Sequence, residues 1–405
     1  MAFRNLFRNR GRTLPTLLAI GVGLLGLTLL DGFITFSVNN FRDSIIRGGT
    51  GHVEIFRSQQ GIDQGDSNPI PYVFDNTQAL VTQLRAMPQV DDVLSVLSFA
   101  AVVSDGSKNN SVQVTAAPPE QTLRDLTKRT ILAGQDLTPT ETGHVLLGTG
   151  LAKVLNVKVG STIKLFALSK GGGVNTESFT VAGISSADLK QIDDRSVAMS
   201  LADAQALLGV QDVAKLVVFL KNTGDTDTFL RLLAASPPSS PLSGHTYVGW
   251  SKLFAPFEYA NSSFQLIRAV ARLVVLIVAL FSISGTLTLS VIERYRELGT
   301  LRAFGTRRPR LLLLLVLEGF ILGAVGTILG SCIGLLAAGA VNALGGVTIP
   351  AQPQMSVATM NVLFTPQLDV LGQNAIALLL ASVIAALLPG TMSFRRTIAE
   401  LLKSR

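Results

Sequence analysis

The sequence predicts a helical membrane protein, with four transmembrane helices and one large α+β extracytoplasmic domain. Three observations predict it. The chain is 48% hydrophobic and only 15% charged over 405 residues, too apolar for a disordered tail or an ordinary soluble enzyme. Its apolar residues gather in four long runs, and its basic residues gather at the ends of those runs, the placement that a membrane imposes. Between the first two runs the pattern changes to short alternating stretches separated by turn residues, as a mixed sheet requires.

The elements follow in order. Residues 1–12 carry Arg4, Arg8, Arg10 and Arg12 and read as a cytoplasmic N-terminus. Span one covers 13–36, with no charge from Thr13 to Leu30. Its apolar stretch is too long for a signal peptide and lacks a small-residue cleavage site, so it reads as an uncleaved span. Span two covers 266–292, with no charge from Leu273 to Ile292. Span three, 311–344, opens a charge-free stretch from Gly319 to Leu368, and span four, 370–394, stops at Arg395 and Arg396. Each is long enough, at about 1.5 Å per residue, to cross a hydrocarbon core. A loop at 293–310, a short external loop at 345–369 and a tail at 395–405 complete the plan.

Charge placement orients it. The N-terminus, the 293–310 loop and the tail together carry fourteen Arg and Lys against Glu293, Glu297 and Glu400, so these segments are expected in the cytoplasm. Residues 37–265 then lie outside with 18 basic and 21 acidic residues, a balance that does not suggest a nucleic-acid surface. Gly51 to Arg57 alternates like a half-buried strand, and Thr77 to Met87 has helical spacing. Val93 to Val103 and Ser111 to Ala116 read as strands. Ile163 to Leu168 and Phe179 to Ile184 flank Gly171-Gly172-Gly173 like a hairpin, and a β-α-β-α rhythm runs from Ser196 to Ala235. An inner insertion is expected at about 131–194, making two subdomains.

The chemistry is notable for what it lacks. Cys332 is the only cysteine, so no disulfide framework arises within the chain. His52, His144 and His245 have no metal-ligand or triad spacing, and no G-x-x-x-x-G-K-[ST] loop cradles phosphate. No catalytic or metal residue is therefore assigned, and Lys170 to Gly173 reads as a turn. Tyr247, Trp250, Phe254, Phe257, Tyr259 and Phe264 concentrate aromatics before span two, as an interfacial belt or as a groove entrance. With Asp31 and Arg268, the residues Trp250, Phe254, Phe257 and Phe264 make up a candidate cargo entrance. Asp31 either pairs with Arg268 and Arg272 or all three reach the interface. Glu318 either meets the arginines of the 293–310 loop or is solvated. Gly319, Gly323, Gly326, Gly330 and Gly334 recur along span three and predict close helix packing, against span one at Ala19 and Gly23 or against a dimer mate.

The most informative stretch is Glu293 to Arg308, ERYRELGTLRAFGTRR. From Arg294 onward it resembles the R-x-x-E-(I/L)-G-x-L-R-A-x-G loop of FtsX-like, MacB-type ABC permeases, and Leu317-Glu318-Gly319 follows in an apolar helix. Gly51 to Ile55 is similar to the G-H-V-x-I strand of the lipoprotein-releasing LolC/LolE group, as are Val145 to Gly148, Val159-Gly160 and Phe179 to Ile184. Ser169 to Thr176 is short where LolC-type subunits carry a long carrier-capturing hairpin.

The resemblance implies a membrane subunit of an ABC complex in the bacterial inner membrane, without cofactor of its own. It assigns Arg294, Arg296, Glu297, Leu298, Gly299, Leu301, Arg302, Ala303 and Gly305 to a helix that docks on a cytoplasmic ATPase. That ATPase, in two copies, binds the ATP and Mg. A second permease chain, itself or a paralogue, and a lipoprotein or other acylated cargo are the further partners implied. The same four-span plan also fits a scaffold that activates an external peptidoglycan hydrolase, or an exporter of small molecules or peptides.

Overall fold

The computed structural model describes residues 10–118, 130–138, 142–186, 193–304, 306–349 and 360–394. Helix α1 is Arg10–Ile45, followed after a wide turn by β1, Val53–Phe56. Two short helices, α2 Gln59–Gln64 and α3 Gln78–Arg85, lead to β2 Val90–Ser104 and β3 Asn109–Ala117. Then come β4 Thr130–Gly134, β5 His144–Gly148, α4 Thr149–Leu155, β6 Thr162–Leu168, β7 Val174–Ser186, β8 Ser196–Ser200 and α5 Leu201–Leu208. The chain continues through β9 Lys215–Leu220, α6 Thr226–Ala234, β10 Thr246–Gly249 and α7 Trp250–Leu253. It closes with α8 Ala255–Glu293, α9 Tyr295–Ala303, α10 Arg308–Ala343, the small pair β11 Val347–Ile349 and β12 Met360–Val362, and α11 Leu368–Phe394.

Two compact units divide these elements: a helical unit of residues 1–39, 259–349 and 361–405, and a sheet unit of 40–258 with 350–360. Among the described residues, four helices are long and apolar enough to cross a membrane. They differ from the expected spans at their ends. Helices α1, of 36 residues, and α8, of 39, run well past the apolar stretches expected at 13–36 and 266–292. Helix α10 starts three residues earlier than expected, at Arg308, because Arg307 is extended and Pro309 sits in the first turn, where its missing N–H costs nothing.

The sheet unit is built on one ten-stranded sheet, ordered β10-β1-β9-β2-β3-β8-β5-β7-β4, with β6 pairing both β2 and β7. The fifteen-residue β2 holds it together. Its first half pairs with β9, and its second half pairs with β3 and β6. Two cores result. Val53, Ile55, Leu84, Val93, Leu216 and Phe229 belong to one; Leu97, Phe99, Val114, Leu147, Leu165 and Val197 belong to the other. The second core runs from Leu97 to Ala214, so the inner subdomain is wider than the 131–194 expected. Val93, Leu94, Val96, Leu97, Ser98 and Phe99 of β2 are all buried, so the change of partner falls within one stretch buried on both faces and the sequence pattern does not mark it.

Polar residues finish the edges of this unit. Ser200 caps α5, its Oγ accepting from Asp203 N and donating to the Asp203 carboxylate. His52 accepts from Leu220 N at Nδ1, and its Nε2 lies 3.0 Å from Thr223 Oγ1. Burial pushes the imidazole down to about 4, which keeps it neutral and able to accept at Nδ1. All four residues of β1 are buried, against the half-buried strand expected. Glu54 is satisfied by Lys215 Nζ at 3.4 Å, and Lys215 also reaches Asp66 at 3.1 Å.

Candidate functional site

The 293–310 segment is a short helix braced on the helical unit. Arg294 leaves helical geometry after α8, and α9 begins at Tyr295. Leu298 is buried with Val291, Leu311 and Leu315, from the end of α8 and the start of α10, and Tyr295 and Leu312 pack against this cluster. Arg294 is tucked beneath: its Nε lies 3.1 Å from Glu297 and its Nη1 3.0 Å from Glu318 on α10. Glu318 is buried at 4% exposure, so the contact with a loop arginine replaces the solvated alternative.

This arrangement divides the nine residues expected to meet a partner. Arg294, Leu298 and Gly299 face the spans and hold α9 in place. Arg296, Glu297, Leu301 and Ala303 are exposed and Arg302 is partly so, while Gly305 lies outside the described residues. Two further residues belong here that the motif did not single out. Glu318 anchors Arg294, and its signal was a lone carboxylate in an apolar helix. Phe304 is 90% exposed, one turn beyond Leu301. An apolar pair flanked by charges on a free helical face is the composition of a protein contact, since such a face gains by covering its apolar centre while its rim pairs with opposite charges.

Span packing runs through the glycines of α10. A Cβ on Gly319 or Gly323 would fall 2.8 Å from Ala386 or 2.6 Å from Ser382, both on α11. One on Gly326, Gly330 or Gly334 would fall 2.6 to 2.8 Å from Ile20, Leu24 or Thr28 of α1. The stripe is thus a saddle with α11 on one stretch and α1 on the next. The facing residues of α1 are not the Ala19 and Gly23 expected: Gly23 turns to Val275 of α8, and α1 presents its larger side chains to the glycines instead.

At the opposite end of the bundle from α9, Asp31 of α1 is 3% exposed. Arg268 Nε of α8 lies 2.9 Å from its Oδ1, and Asn374 Nδ2 of α11 donates to its Oδ2 at 2.7 Å. Of the two readings of this cluster, pairing holds for Arg268. The aromatic residues behave differently. Trp250 stacks edge-on to Phe257 at 4.7 Å, and Phe41 packs on Phe254 and Phe257 at 5.9 and 5.8 Å. Trp250 and Phe257 are buried, so these rings serve the sheet unit's own packing and do not line an open entrance. Phe264 is separate from them, partly exposed on the helical unit's stretch of α8.

The family model of the MacB-like periplasmic core domain matches residues 13–235, more than half the chain, and that of the FtsX-like permease C-terminal matches 269–398. The chain belongs to the FtsX/MacB-type ABC transporter permeases. Such a permease works in a membrane with an ATPase partner. The chain is 26% identical over 406 residues to the lipoprotein-releasing system transmembrane protein LolE of Haemophilus influenzae, covering 96% of this chain and 92% of that one. It is 24% identical to an uncharacterised ABC transporter permease of Methanocaldococcus jannaschii, over 85% of this chain and 84% of the relative. The lipoprotein-releasing system transmembrane protein LolC of Neisseria meningitidis matches at 25% over 50% of this chain and 49% of its own. Among solved structures, the periplasmic region of MacB from Actinobacillus actinomycetemcomitans aligns at TM-score 0.37 and 15% identity, over 53% of this chain and 95% of that one.

Proposed function

We propose that this permease is the non-catalytic membrane subunit of a mechanotransmitting ABC transporter that draws a lipoprotein or another acylated molecule from the outer leaflet of a bacterial inner membrane. Two partner ATPases bind ATP and Mg and dock on α9, and a second permease chain completes the dimer. Both termini and α9 are cytoplasmic, and the sheet unit is external.

The observation that carries this reading is the two-sided α9. One side is fixed to α8 and α10 by Leu298 and by Arg294 with Glu318; the other offers Leu301 and Phe304. A push on the free side therefore reaches α10, and through the glycine saddle it reaches α1 and α11. Helices α1 and α8 are the ones by which the chain leaves and re-enters the helical unit. They deliver that motion toward the external end, where an acyl chain enters or leaves. Similarity to LolE across nearly the full chain supports an acylated cargo.

Two measurements test the reading. In a Cys332→Ser background, a cysteine at Ser107 should react with an impermeant maleimide in intact spheroplasts and one at Thr306 should not; reversed labelling would overturn the orientation. The complex purified with its ATPase should carry stoichiometric acylated protein that ATP releases, whereas a copurifying peptidoglycan hydrolase without acylated protein would point to a signalling scaffold.

A further inference from the structure

Three specific contacts set the register of α8 against α1. Arg268 Nε lies 2.9 Å from Asp31 Oδ1. Val275 covers Gly23, its Cγ1 2.9 Å from where a Cβ on that glycine would stand. Thr286 Oγ1 lies 2.5 Å from Thr16 Oγ1. Each of these α8 residues has a counterpart four positions later, in Arg272, Ala279 and Ser290. Arginine is followed by arginine and hydroxyl by hydroxyl, and the residue that would come over Gly23 is the smaller one. The buried stripe of Ile283, Leu287 and Val291 repeats at the same step, apolar for apolar. Four residues advance a helix by about 6 Å and return it to within about 40° of the same face. Helix α8 is also the least enclosed of the four spans, with 11% of its most apolar stretch buried against 39 to 44% in the others. Helical geometry breaks at Arg294, a joint at which α8 can shift against α9.

We propose that Asp31 is a two-position clasp, paired with Arg268 in the present structure and with Arg272 after α8 slides one turn past α1 toward its own N-terminus. Asn374 of α11 donates to Asp31 Oδ2 at 2.7 Å, so one carboxylate oxygen stays on α11 and the other is offered to whichever arginine arrives. Both positions pair the buried carboxylate, whereas a half-way position leaves it facing the gap between two guanidinium groups, which is costly within a membrane span. Such an arrangement favours two discrete registers over continuous sliding, as in other one-turn ratchets. The slide takes its drive from the proposed docking of ATPases on α9 and so rests on that reading; the two registers themselves do not.

The test uses the full-length permease in a Cys332→Ser background, purified in detergent with and without its ATPase. Thr16→Cys with Thr286→Cys reports the present register, and Thr16→Cys with Ser290→Cys reports the shifted one. Oxidation by copper phenanthroline is read as loss of both free thiols in chains that stay monomeric on a non-reducing gel. Without nucleotide the first pair should close and the second should not, and ATP trapped with vanadate should raise the second at least fivefold while lowering the first. In the permease alone, Arg268→Gln should raise the second pair by a similar factor, because Arg272 is then the arginine left to Asp31. Adding Arg272→Gln should remove the rise in both settings, with closure of the first pair showing that the variant folds, and Arg272→Lys should keep it. Failure of the second pair to close in Arg268→Gln, or a rise that survives Arg272→Gln, would overturn the clasp. A rise in Arg268→Gln alone, with none on trapping ATP, would uphold the clasp and overturn the drive from α9 instead.

Discussion

Glu318 shows what a single carboxylate does in an apolar helix. Removing it leaves Arg294 only the exposed Glu297 as a partner, and breaking a buried pair on one side costs up to about 3–5 kcal/mol. Glu318→Ala should therefore loosen α9, seen as faster hydrogen exchange over 295–303. Replacing both partners by leucine should recover much of that protection, because no lone charge remains; equal exchange in wild type and Glu318→Ala would remove the anchor. Glu54 makes a second prediction. Burial pushes its carboxyl up from 4.5 to about 7, so the folded state holds the proton more tightly, and the Glu54 contribution to stability falls as pH rises from about 4.5 to 7. His52, pushed down from 6.5 to about 4, contributes the opposite slope over an overlapping range. Their sum is uninformative but the difference is not: Glu54→Gln should make stability rise more steeply with pH over this window. Denaturant unfolding of the full chain followed by Trp250, the only tryptophan and a residue of the sheet unit, reports it. An unchanged slope would contradict the assignment. Neither residue announced its partner in the sequence. Glu54 alternates with valine and isoleucine as an outward-facing residue does, and Lys215 lies over 150 positions away.

Among the helices, the glycine saddle was legible as a stripe but its partners were not. Four-residue spacing says that small residues share a face. It does not say that the face bends from α11 to α1 between Gly323 and Gly326, nor that α1 fills it with Ile20, Leu24 and Thr28 and brings Gly21 rather than Gly23 against it. Adding one carbon at Gly330 would meet Leu24 Cβ at 2.8 Å and the Gly21 carbonyl at 2.9 Å, backbone that has no room to give. Gly330→Ala should cost about 1–3 kcal/mol, read as a lower thermal midpoint in detergent. Gly339→Ala, with nothing within 4 Å, should be neutral or slightly stabilising, as expected for Gly to Ala in a helix. Equal midpoints for both would mean that the saddle is not close-packed. The aromatic stretch misled for a related reason. Trp, Tyr and Phe before a span signal an interface, yet Trp250 and Phe257 satisfy each other and Phe41. Phe257→Asp is therefore expected to unfold the sheet unit rather than to slow cargo selectively.

For the molecule as a whole, membrane class was legible because charge-free runs and clustered arginines are physical necessities of a bilayer. The motif from Arg294 to Gly305 was legible as a resemblance. Its division of labour was not, since spacing alone does not tell which helical face is already occupied. The proposal stands on that division: Leu298 and Arg294 hold α9 to the spans, which leaves Leu301 and Phe304 as the proposed ATPase contact. Stimulated ATP hydrolysis by the cognate ATPase, measured with the purified permease carrying Leu301→Asp and Phe304→Asp, tests it most directly. The account predicts that both variants insert and assemble normally while losing tenfold or more in ATPase affinity and stimulation. Wild-type stimulation by both would contradict it.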